Sequence, residues 1–412
     1  MTQAFTGVLN FQNSGREVVV CDFARSAFGR FDGVLAPLEA PELGAQVLDA
    51  LLRKSSLDPT CVDGLYCGVG LAGAAMLTVT RQLLLLSGLP QSVPSMGVDR
   101  ACCSGMTAVS LAARDVAIGL ADVAIAGGVE SLSNMPLFMP RRHGVRPGSV
   151  QLSDPLVLGG AAVDRPIATY SGEEALRFGV ERQEQDEWAM ASHQRYFAAK
   201  SKGVLQSELV PVVVKQGKQC VSVFDDEGPR CDSNLEKLAS LKTVYSSPTI
   251  TAGNAPGLSD GAGFLIVTTP QRAKQLGLSP IARIRSYAQV AGGPTSGTST
   301  PAVALKRALD AIGKSWTDLD RIEINEAYAA TPLVSTKVMA GDDAAALSLL
   351  RGMTNPWGGA VAIGHPLGAS GARLVMTLMS GLTQSSSPPG ALSAAAICGG
   401  FGQGDAIVIE KF

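Results

Sequence analysis

The sequence predicts an α/β fold made of two similar halves, with a long segment inserted between them. At 412 residues the chain is too long for one ordinary hydrophobic core, so two or three domains are expected. Each half alternates short apolar runs, typical of strands, with longer stretches typical of helices. Three short motifs also recur in the same order in both halves. This alternation predicts mixed, mostly parallel sheets with helices on both faces.

The predicted elements follow the same order in both halves. Apolar runs favour the strands, and alanine-rich or amphipathic stretches favour the helices. The first half has predicted strands at 18–21, 64–67 and 121–126, and predicted helices at 42–54 and from Cys102 onward. The second half has predicted strands at 282–287, 321–324 and 394–397, and predicted helices at 303–312 and 370–381.

The repeated motifs indicate an internal duplication. They are VDGL at 62–65 and LDRI at 319–322, Ser104-Gly105 and Ser370-Gly371, and IAGG at 125–128 and ICGG at 397–400. Two halves of this kind, packed together, would bring the N-termini of corresponding helices to a shared interface.

The residues between the halves differ in character. Segment 132–255 is more polar, contains most of the proline-containing loops and includes one predicted amphipathic helix at 182–202. Long excursions in compact domains are usually functional, so we expect this segment to cover a substrate. The predicted domains are 1–131 together with 256–280, the insertion 132–255, and 281–412.

Composition and charge exclude several classes of protein. The formal net charge of -2 gives no electrostatic reason to bind nucleic acid or an anionic membrane. No apolar run reaches the ~18 residues of a membrane span, and neither terminus has the pattern of a targeting signal. The eight cysteines form no Cys-x-x-Cys pair, and with three histidines a metal site is not expected. Scattered thiols in a large chain indicate a reduced, cytoplasmic protein.

Two adjacent cysteines, Cys102 and Cys103, lie at the start of an alanine-rich helix. The first N–H groups and the dipole of a helix favour a thiolate there, although small apolar helices also carry buried, inert cysteines. His365 lies in a glycine- and proline-rich loop that leads into another helix, where it should face the Cys102 helix. A nearby imidazole would make the thiol nucleophilic; the alternative is a structural histidine bonded to backbone.

Two further side chains lie at predicted strand ends. Cys398 precedes a glycine-rich loop that would expose backbone N–H groups to a ligand. Its thiol either exchanges a proton with that ligand or is simply a buried cysteine. Asn325 either holds a water or an oxyanion, or caps a helix. With Cys102 and His365, these side chains suit acyl transfer through a thioester combined with carbanion chemistry. Peptide hydrolysis needs only one nucleophile and one base, so it would give the second thiol no role.

Six segments resemble the motifs of the thiolase family, in the family's order and over essentially the whole chain. They are RSAFGRF at 25–31 (R-[ST]-P-[FI]-G), DRACCSG at 99–105 (N-[RK]-x-C-x-S-G), GGVESLSN at 127–134 (GGMESMS), NEAYA at 325–329 (NEAFA), GHPLGASG at 364–371 and CGGFGQG at 398–404 (C-x-G-G-G-x-G). The resemblance implies the thiolase fold, in which two duplicated α/β/α halves form an αβαβα layered core with an inserted loop domain.

The resemblance also implies a role for each site residue. Cys102 would be the nucleophile, His365 would activate it, and Cys398 would exchange a proton with the enolate of acetyl-CoA. One oxyanion hole would consist of His365 and a water held by Asn325, and the other of the backbone N–H groups of Cys102 and Gly400. No metal or redox cofactor is implied, and coenzyme A (CoA) enters as a substrate. A homodimer or homotetramer is expected.

The resemblance places CoA largely against the inserted segment. Arg230 would touch the nucleotide end of CoA, and an aromatic ring would pack near its adenine or pantetheine. Pro256 replaces a serine that contacts pantetheine in the family. The expected substrate- and CoA-binding residues are Arg230, Tyr245, Ala252, Gly253, Pro256 and Tyr328.

The implied activity is that of a 3-ketoacyl-CoA thiolase, an acetyl-CoA C-acyltransferase of fatty-acid metabolism and β-oxidation. Segment 166–174 preserves little of the loop found in short-chain biosynthetic members, so the acyl group stays open. Two alternatives are a non-catalytic, thiolase-like CoA-binding protein and a ketoacyl synthase that uses acyl-carrier protein. Synthases of that kind typically have a histidine in place of Cys398 and lack the long insertion.

Overall fold

The computed structural model describes residues 7–412 apart from 72, 74, 76, 140, 141, 145, 158, 161, 385 and 386. The strands are β1 (Gly7–Asn10), β2 (Val19–Arg25), β3 (Gly29–Arg30), β4 (Gly64–Gly68), β5 (Ser95–Val98), β6 (Val123–Ser131), β7 (Val212–Gln216), β8 (Gln219–Val223), β9 (Ser259–Thr268), β10 (Ala282–Ala291), β11 (Leu319–Ile324), β12 (Leu392–Gly399) and β13 (Gln403–Lys411). The helices are α1 (Ala40–Ser55), α2 (Val79–Leu86), α3 (Ser104–Ala117), α4 (Ile167–Arg177), α5 (Arg182–Ser201), α6 (Leu235–Ala239), α7 (Pro270–Gln275), α8 (Thr300–Asp310), α9 (Ala330–Ala340), α10 (Ala344–Met353), α11 (Ala360–Ile363) and α12 (Leu367–Gln384).

The strand pairing confirms the duplication. In the first half, β2 pairs antiparallel with β9, β9 antiparallel with β6, and β6 parallel with β4. In the second half, β10 pairs antiparallel with β13, β13 antiparallel with β12, and β12 parallel with β11. The two half-sheets join where β10 pairs with β2, at Ala282↔Val20 and Arg283↔Val19. The result is one ladder in the order β11-β12-β13-β10-β2-β9-β6-β4-β5.

The prediction of mostly parallel sheets is wrong. Strand β13 follows β12 after only the turn Gly400–Gly402, and a connection this short joins antiparallel strands. The equivalent connection in the first half, between β6 and β9, contains the inserted segment. Alternation of strands and helices therefore describes only the part of each half that precedes its last antiparallel strand, which is β9 in the first half and β13 in the second.

The packing forms five layers. Helices α3 and α12 lie between the two half-sheets, in a core that includes Met106, Val109, Leu374 and Met376. Helices α1 and α2 cover the outer face of the first half-sheet. Helix α8, with neighbouring α9 and α10, covers the outer face of the second. This is the expected αβαβα order.

Strand β6 is longer than predicted because its glycines are not a strand end. A Cβ atom on Gly127 would collide with the carbonyl of Gly263 in β9, and one on Gly128 with the carbonyl of Gly368 in α12. Gly127 and Gly128 therefore allow close approach of neighbouring backbone inside a continuing strand.

Helix α5 does not have the amphipathic pattern that the sequence predicts for 182–202. Its buried face includes Asp186, Ser192 and His193. These polar groups are hydrogen-bonded: Asp186 accepts from Asn254 Nδ2 at 2.9 Å, and the Ser192 hydroxyl donates to Glu326 at 2.8 Å. The buried face of the helix is therefore tied to the rest of the chain by hydrogen bonds as well as by apolar contact.

Arg25 anchors the inserted segment to the first half. Its buried guanidinium donates from Nε to Glu208 at 2.7 Å, and from Nη1 and Nη2 to the two oxygens of Asp226 at 2.8 and 3.1 Å. Asp226 also accepts from the backbone N–H of Phe28 at 2.8 Å. A buried charge is tolerated only when it is paired and hydrogen-bonded in this way. In the described ranges no helix is long and apolar enough to cross a bilayer.

Candidate active site

Cys102 lies in a tight turn immediately before α3, which begins two residues later than predicted, at Ser104. The preceding residue, Ala101, has φ 49°, in the left-handed region that residues with a Cβ rarely adopt. The Ser104 hydroxyl holds the turn: it accepts from the Arg100 N–H at 2.8 Å and donates to the Ala101 carbonyl at 2.5 Å. The turn thus presents Cys102 on strained backbone at a helix N-terminus.

The second half of the chain fixes this turn. Arg100 Nη1 donates to Asp405 in β13 at 2.5 Å and to the Thr107 hydroxyl at 2.8 Å. The other oxygen of Asp405 accepts from the Tyr287 hydroxyl at 2.5 Å and from Thr107 at 2.6 Å. The buried carboxylate therefore connects the nucleophile turn to β10 and β13.

Glycines bring the two central helices together. A Cβ on Gly105 of α3 would collide with the Gly368 carbonyl of α12, and a Cβ on Gly371 would lie 2.5 Å from the Met106 backbone nitrogen. Backbone therefore packs directly on backbone at the N-terminal ends of both helices. The loops that hold Cys102 and His365 lie side by side at these ends, as the duplication predicted.

Glu130 bridges the backbone at this contact. Its Oε2 accepts from the N–H groups of Gly70 at 2.7 Å and Gly368 at 2.9 Å, while Oε1 has no hydrogen-bond partner. Burial raises the pKa of Glu130 to about 7, even though these N–H groups act in the opposite direction. The sequence analysis noted its motif without assigning Glu130 a structural role.

His365 is held as a neutral imidazole. The Ser370 hydroxyl donates to the Pro366 carbonyl at 2.8 Å, so it accepts from the Nδ1–H of His365 at 2.6 Å. This leaves Nε2 unprotonated, 3.4 Å from the donating Nδ2 of Asn325. Burial, with a contribution from the Arg373 charge, lowers the pKa of His365 to about 3. The ring therefore offers a lone pair to the site.

Asn325 is not a helix cap. It follows β11, where its N–H donates to the Ala396 carbonyl at 2.9 Å, and α9 starts five residues further on at Ala330. Its side-chain Oδ1 is buried without a hydrogen-bond partner. The neighbouring Glu326 fixes the loop by accepting from Trp188 Nε1 at 2.8 Å and the Val361 N–H at 2.9 Å.

The thiols are protonated rather than ionised. Cys102 is partly accessible as a residue, but its sulfur is buried. This burial, with a smaller contribution from the charge of Cys398, raises the pKa of Cys102 well above that of an ordinary thiol. Burial and then the charge of Glu174 raise the pKa of Cys398 to about 12, although the Thr331 hydroxyl favours its thiolate. Desolvation therefore outweighs the helix N-terminus, which by itself favours a thiolate. Cys103 packs into the central core.

Cys102 and Cys398 line the same small cavity, of about 30 Å³. Gly400 also lines it, and a Cβ on Gly400 would lie 3.5 Å from that of Ala101. Backbone of both halves therefore comes together beside Cys102. The remaining wall includes Tyr170 of α4 and Tyr328. Tyr328, which the sequence analysis grouped with substrate contacts, belongs to this cavity.

A second, larger cavity of about 700 Å³ lies between the inserted segment and α11. Three of the expected CoA-binding residues, Arg230, Ala252 and Gly253, line it. Pro256 is placed between two lining residues, whereas Tyr245 is 53% exposed and outside the wall. The wall reaches Gly364, next to His365, so this cavity leads toward the imidazole.

Two residues of these walls escaped the sequence analysis. Phe401 occupies a position that is glycine in the C-x-G-G-G-x-G motif, and this departure was visible in the sequence. His193 lines the larger cavity, and its Nδ1 accepts from the Arg230 N–H at 3.2 Å. No local sequence signal distinguishes His193 from other helix residues. Among the described residues, no group of three or more His, Cys, Asp or Glu side chains has metal-binding geometry.

Comparison with known proteins agrees with this geometry. The model of the thiolase N-terminal domain matches residues 18–271, and that of the thiolase C-terminal domain matches 278–411. The chain is 38% identical over 400 residues to an acetyl-CoA acetyltransferase of Allochromatium vinosum, covering 96% of this chain and 99% of that protein. It is 39% identical over 411 residues to a β-ketoadipyl-CoA thiolase of Pseudomonas knackmussii, covering 96% and 99%.

Two solved structures are similar throughout. The acetyl-CoA acetyltransferase of Bacillus anthracis superposes with a TM-score of 0.91 at 31% identity, covering 97% of this chain and 100% of that one. Human mitochondrial 3-ketoacyl-CoA thiolase superposes with a TM-score of 0.89 at 31% identity, covering 96% and 99%. With both halves matched and the full length covered, the chain belongs to the thiolase family of acyltransferases.

Proposed function

We propose that this protein is a 3-ketoacyl-CoA thiolase that works through an acyl-Cys102 thioester. The observation that carries the proposal is the pairing of Cys102 and Cys398 from different halves in one cavity. Carbon–carbon bond cleavage needs both a nucleophile and a separate proton donor for the departing carbanion. Relatives named acetyl-CoA acetyltransferase and β-ketoadipyl-CoA thiolase support CoA thioesters as substrates.

In the first half of the reaction, Nε2 of His365 takes the proton of Cys102 as the sulfur attacks the keto carbon. The bond between C2 and C3 of the substrate then breaks, which leaves the acyl group on Cys102 and an acetyl-CoA enolate. Cys398 gives its proton to C2 of the enolate and becomes a thiolate. Its raised pKa supports this role, because a protonated thiol is available as an acid.

In the second half, CoA gives its thiol proton to Cys398 and attacks the thioester carbon. Cys102 leaves and recovers its proton from His365, so every group returns to its starting state. The reverse sequence performs Claisen condensation. The proposed cycle uses side chains, backbone and CoA, without a metal or redox cofactor.

Two oxyanion holes are proposed, one for each negatively charged oxygen that forms during this cycle. The N–H groups of Cys102 and Gly400 would stabilise the tetrahedral oxyanion on the acyl carbon. Once protonated, Nε2 of His365 would donate to the enolate oxygen. A water bound to Asn325 would be the second donor, and the unpartnered Oδ1 of Asn325 supports such a water.

The larger cavity is the proposed CoA site. Its volume of about 700 Å³ suits an elongated ligand such as CoA. Its position beside Gly364 would direct the thioester end of CoA toward His365. Arg230 supplies positive charge to the wall for phosphate groups, whereas Lys237 is paired with Asp232 at 2.9 Å. Tyr245 and Pro256 are not needed for this arrangement.

We also propose a homo-oligomer in the cytoplasm. Strand β5 is one of the two ends of the sheet formed by the described residues, and the adjacent surface exposes Leu77, Leu86 and Met96. An unpaired edge beside exposed apolar side chains is typical of an interface. Sedimentation equilibrium should give a dimer or tetramer, and Met96→Lys should shift it toward monomer; a purely monomeric wild type would contradict the interface. Free thiols throughout the chain favour a reducing compartment.

The central test is acylation by labelled acetyl-CoA, followed by mass spectrometry of the intact protein. We expect the label on Cys102, no label on Cys102→Ala, and normal labelling of the matched control Cys103→Ala. Cys398→Ala should still accept the label but lose thiolysis of acetoacetyl-CoA by at least about a hundredfold. Label retained by Cys102→Ala would refute the assignment of the nucleophile.

The same experiment separates the alternatives. A non-catalytic CoA-binding protein would bind acetyl-CoA without forming the thioester. A synthase that depends on acyl-carrier protein would transfer the acyl group to carrier-bound thiols and not to CoA. Thiolysis of acetoacetyl-CoA by free CoA is expected only from the proposed enzyme.

A further inference from the structure

The small cavity that holds the two thiols has a mostly apolar wall, and some of the side chains that line it carry buried hydroxyls without a hydrogen-bond partner among the described residues. The Tyr170 hydroxyl is buried and makes no hydrogen bond, and the same is true of the Thr298 hydroxyl. Both residues line the cavity that holds Cys102 and Cys398. A buried hydroxyl without a partner is unfavourable, and native structures keep few of them. Three of them at one reactive centre, the third being the Thr331 hydroxyl of the same wall, indicate a ligand that supplies the missing bonds.

Tyr170 lines the same cavity as both thiols. Burial, followed by the charges of Cys398 and Cys102, raises the pKa of Tyr170 to about 12. The phenol therefore stays protonated and can donate to an acyl group carried by Cys102. Thr298 is held in place from both sides, because its N–H donates to Glu174 at 2.7 Å and its carbonyl accepts from Ser335 at 2.8 Å.

The charges around the cavity disfavour an anionic acyl group. Its described lining residues include no arginine, lysine or histidine. Glu174 lies behind Thr298, and its charge raises the pKa of Cys398. Arg165, whose charge reaches Tyr170, is already paired with Glu173 at 2.8 Å. A carboxylate entering this space would meet a like charge and no free cation in the wall.

Phe401 limits the length of the acyl group. The cavity of about 30 Å³ is close to the space of one water molecule. Phe401 forms part of its wall in the left-handed conformation, with φ 60° and ψ 42°, which is unusual for a bulky residue. The ring packs tightly on Gly160, where a Cβ would lie 2.8 Å from Phe401 Cζ. Strained backbone of this kind persists where the surrounding structure enforces it.

We propose that the acyl site selects short acyl groups that carry an uncharged oxygen, such as a hydroxyl, bound by Tyr170 and Thr298 and confined by Phe401. This inference rests on the proposed function, because it assigns the substrate class of the same site. A hydroxyl on the carbon next to the thioester would donate to one wall hydroxyl and accept from the other. An alkyl group of equal size would leave both wall hydroxyls unsatisfied.

The test compares acylation of Cys102 by acyl-CoA thioesters that differ in one group. Hydroxyacetyl-CoA and propionyl-CoA are matched in size, with a hydroxyl in one where the other has a methyl. We expect hydroxyacetyl-CoA to acylate Cys102 at least about tenfold faster than propionyl-CoA. Tyr170→Phe and Thr298→Val should each reduce this ratio severalfold. Thr80→Val, which removes a buried hydroxyl outside the cavity, should leave the ratio unchanged.

Chain length and charge are tested with the same readout. Phe401→Gly should raise the rate with butyryl-CoA relative to acetyl-CoA by about tenfold. Ser56→Gly is its control, because it also relieves a left-handed residue but lies at the end of α1. Succinyl-CoA should be the slowest of the thioesters in the wild type.

The outcomes separate the two levels of inference. Equal rates for hydroxyacetyl-CoA and propionyl-CoA, or a faster reaction with succinyl-CoA, would overturn the assignment of the acyl group while acetyl transfer persists. A wild type that accepts no acyl group from any thioester, including acetyl-CoA, would overturn the proposed function itself.

Discussion

The reactive side chains at rest are uncharged because each is enclosed by protein. Desolvation disfavours the thiolates of Cys102 and Cys398, and it equally disfavours the imidazolium of His365. A neutral imidazole with a free Nε2 is the form that can accept a proton from a neutral thiol. The pair therefore develops its charges during the reaction rather than before it.

This arrangement predicts an unusual pH dependence of acylation. With the pKa of His365 at about 3 and that of Cys102 well above an ordinary thiol, neither group titrates between pH 5 and 8. The pre-steady-state rate of acylation by acetyl-CoA should therefore change less than about threefold over this range. Alkylation of free cysteine in the same buffers is the control. Its rate follows the fraction of thiolate, so it rises by up to about tenfold per pH unit below the pKa of the thiol. A tenfold rise per unit in the enzyme would show a pre-formed equilibrium thiolate instead.

Most of the proposed reactive side chains could be selected from the sequence, but their charge states could not. Cys102, His365, Cys398 and Asn325 all lie in motifs whose order is specific. The charge of a thiol depends on how deeply its sulfur is enclosed, and this follows from tertiary packing. Phe401 was visible as a departure from a glycine motif, yet its effect on the cavity depends on contact with Gly160 across the inserted segment.

At the scale of elements, the site depends on the close contact of α3 and α12. Gly371 lies inside α12, where alanine is normally the better helix former by about 1 kcal/mol. Here the added methyl would meet the backbone of Met106, which cannot move independently of α3. The helix propensity of alanine therefore favours Gly371→Ala, whereas the contact with Met106 disfavours it.

Gly371→Ala should lower the free energy of unfolding by about 1–3 kcal/mol, measured by urea denaturation. It should also slow acylation, because separation of the helices moves the Cys102 turn away from His365. Gly352→Ala in α10 is the matched control: no atom approaches its Cβ position, so it should be neutral or stabilising. A stabilised Gly371→Ala variant with normal activity would contradict the importance of this contact.

Helices and strands with strong local patterns were predicted within a few residues, including α1, α8 and β11. Their connections were not. Whether β9 and β13 run parallel or antiparallel to their neighbours depends on where the chain turns back, and helix–strand alternation carries no information on that. The polar buried face of α5 was likewise hidden, because its partners, such as Glu326, are distant in sequence.

For the whole molecule, pH has opposing effects on stability through two buried groups. His365 stays neutral when folded but becomes protonated when unfolded below about pH 6.5, so its contribution is lost as pH falls toward 3. Glu130 has a folded pKa of about 7, above its ordinary value of 4.5. The folded state therefore holds a proton that the unfolded state releases, and stability is lost as pH rises from 4.5 to 7.

Glu130→Gln should remove the second effect. The amide keeps an oxygen for the Gly70 and Gly368 N–H groups and carries no charge to desolvate. The wild type loses stability as the pH rises from 5 to 8, and the variant should not. The unfolding free energy of the variant minus that of wild type should therefore be about 1–3 kcal/mol larger at pH 8 than at pH 5. Urea midpoints at both pH values measure this difference, and the exposed Glu187→Gln is the control. A difference that does not change with pH would mean that Glu130 is ionised throughout.

The bond between Arg100 and Asp405 has a consequence for the order of synthesis. Asp405 belongs to β13, which is synthesised about three hundred residues after the turn that holds Cys102. Until β13 pairs with β10 and β12, the turn lacks its carboxylate anchor and Cys102 lacks Cys398 and Gly400. The nascent chain therefore carries Cys102 without this anchor until β13 has been made. The proposed acyl transfer therefore has to wait for β13 and cannot develop by degrees as the earlier elements fold.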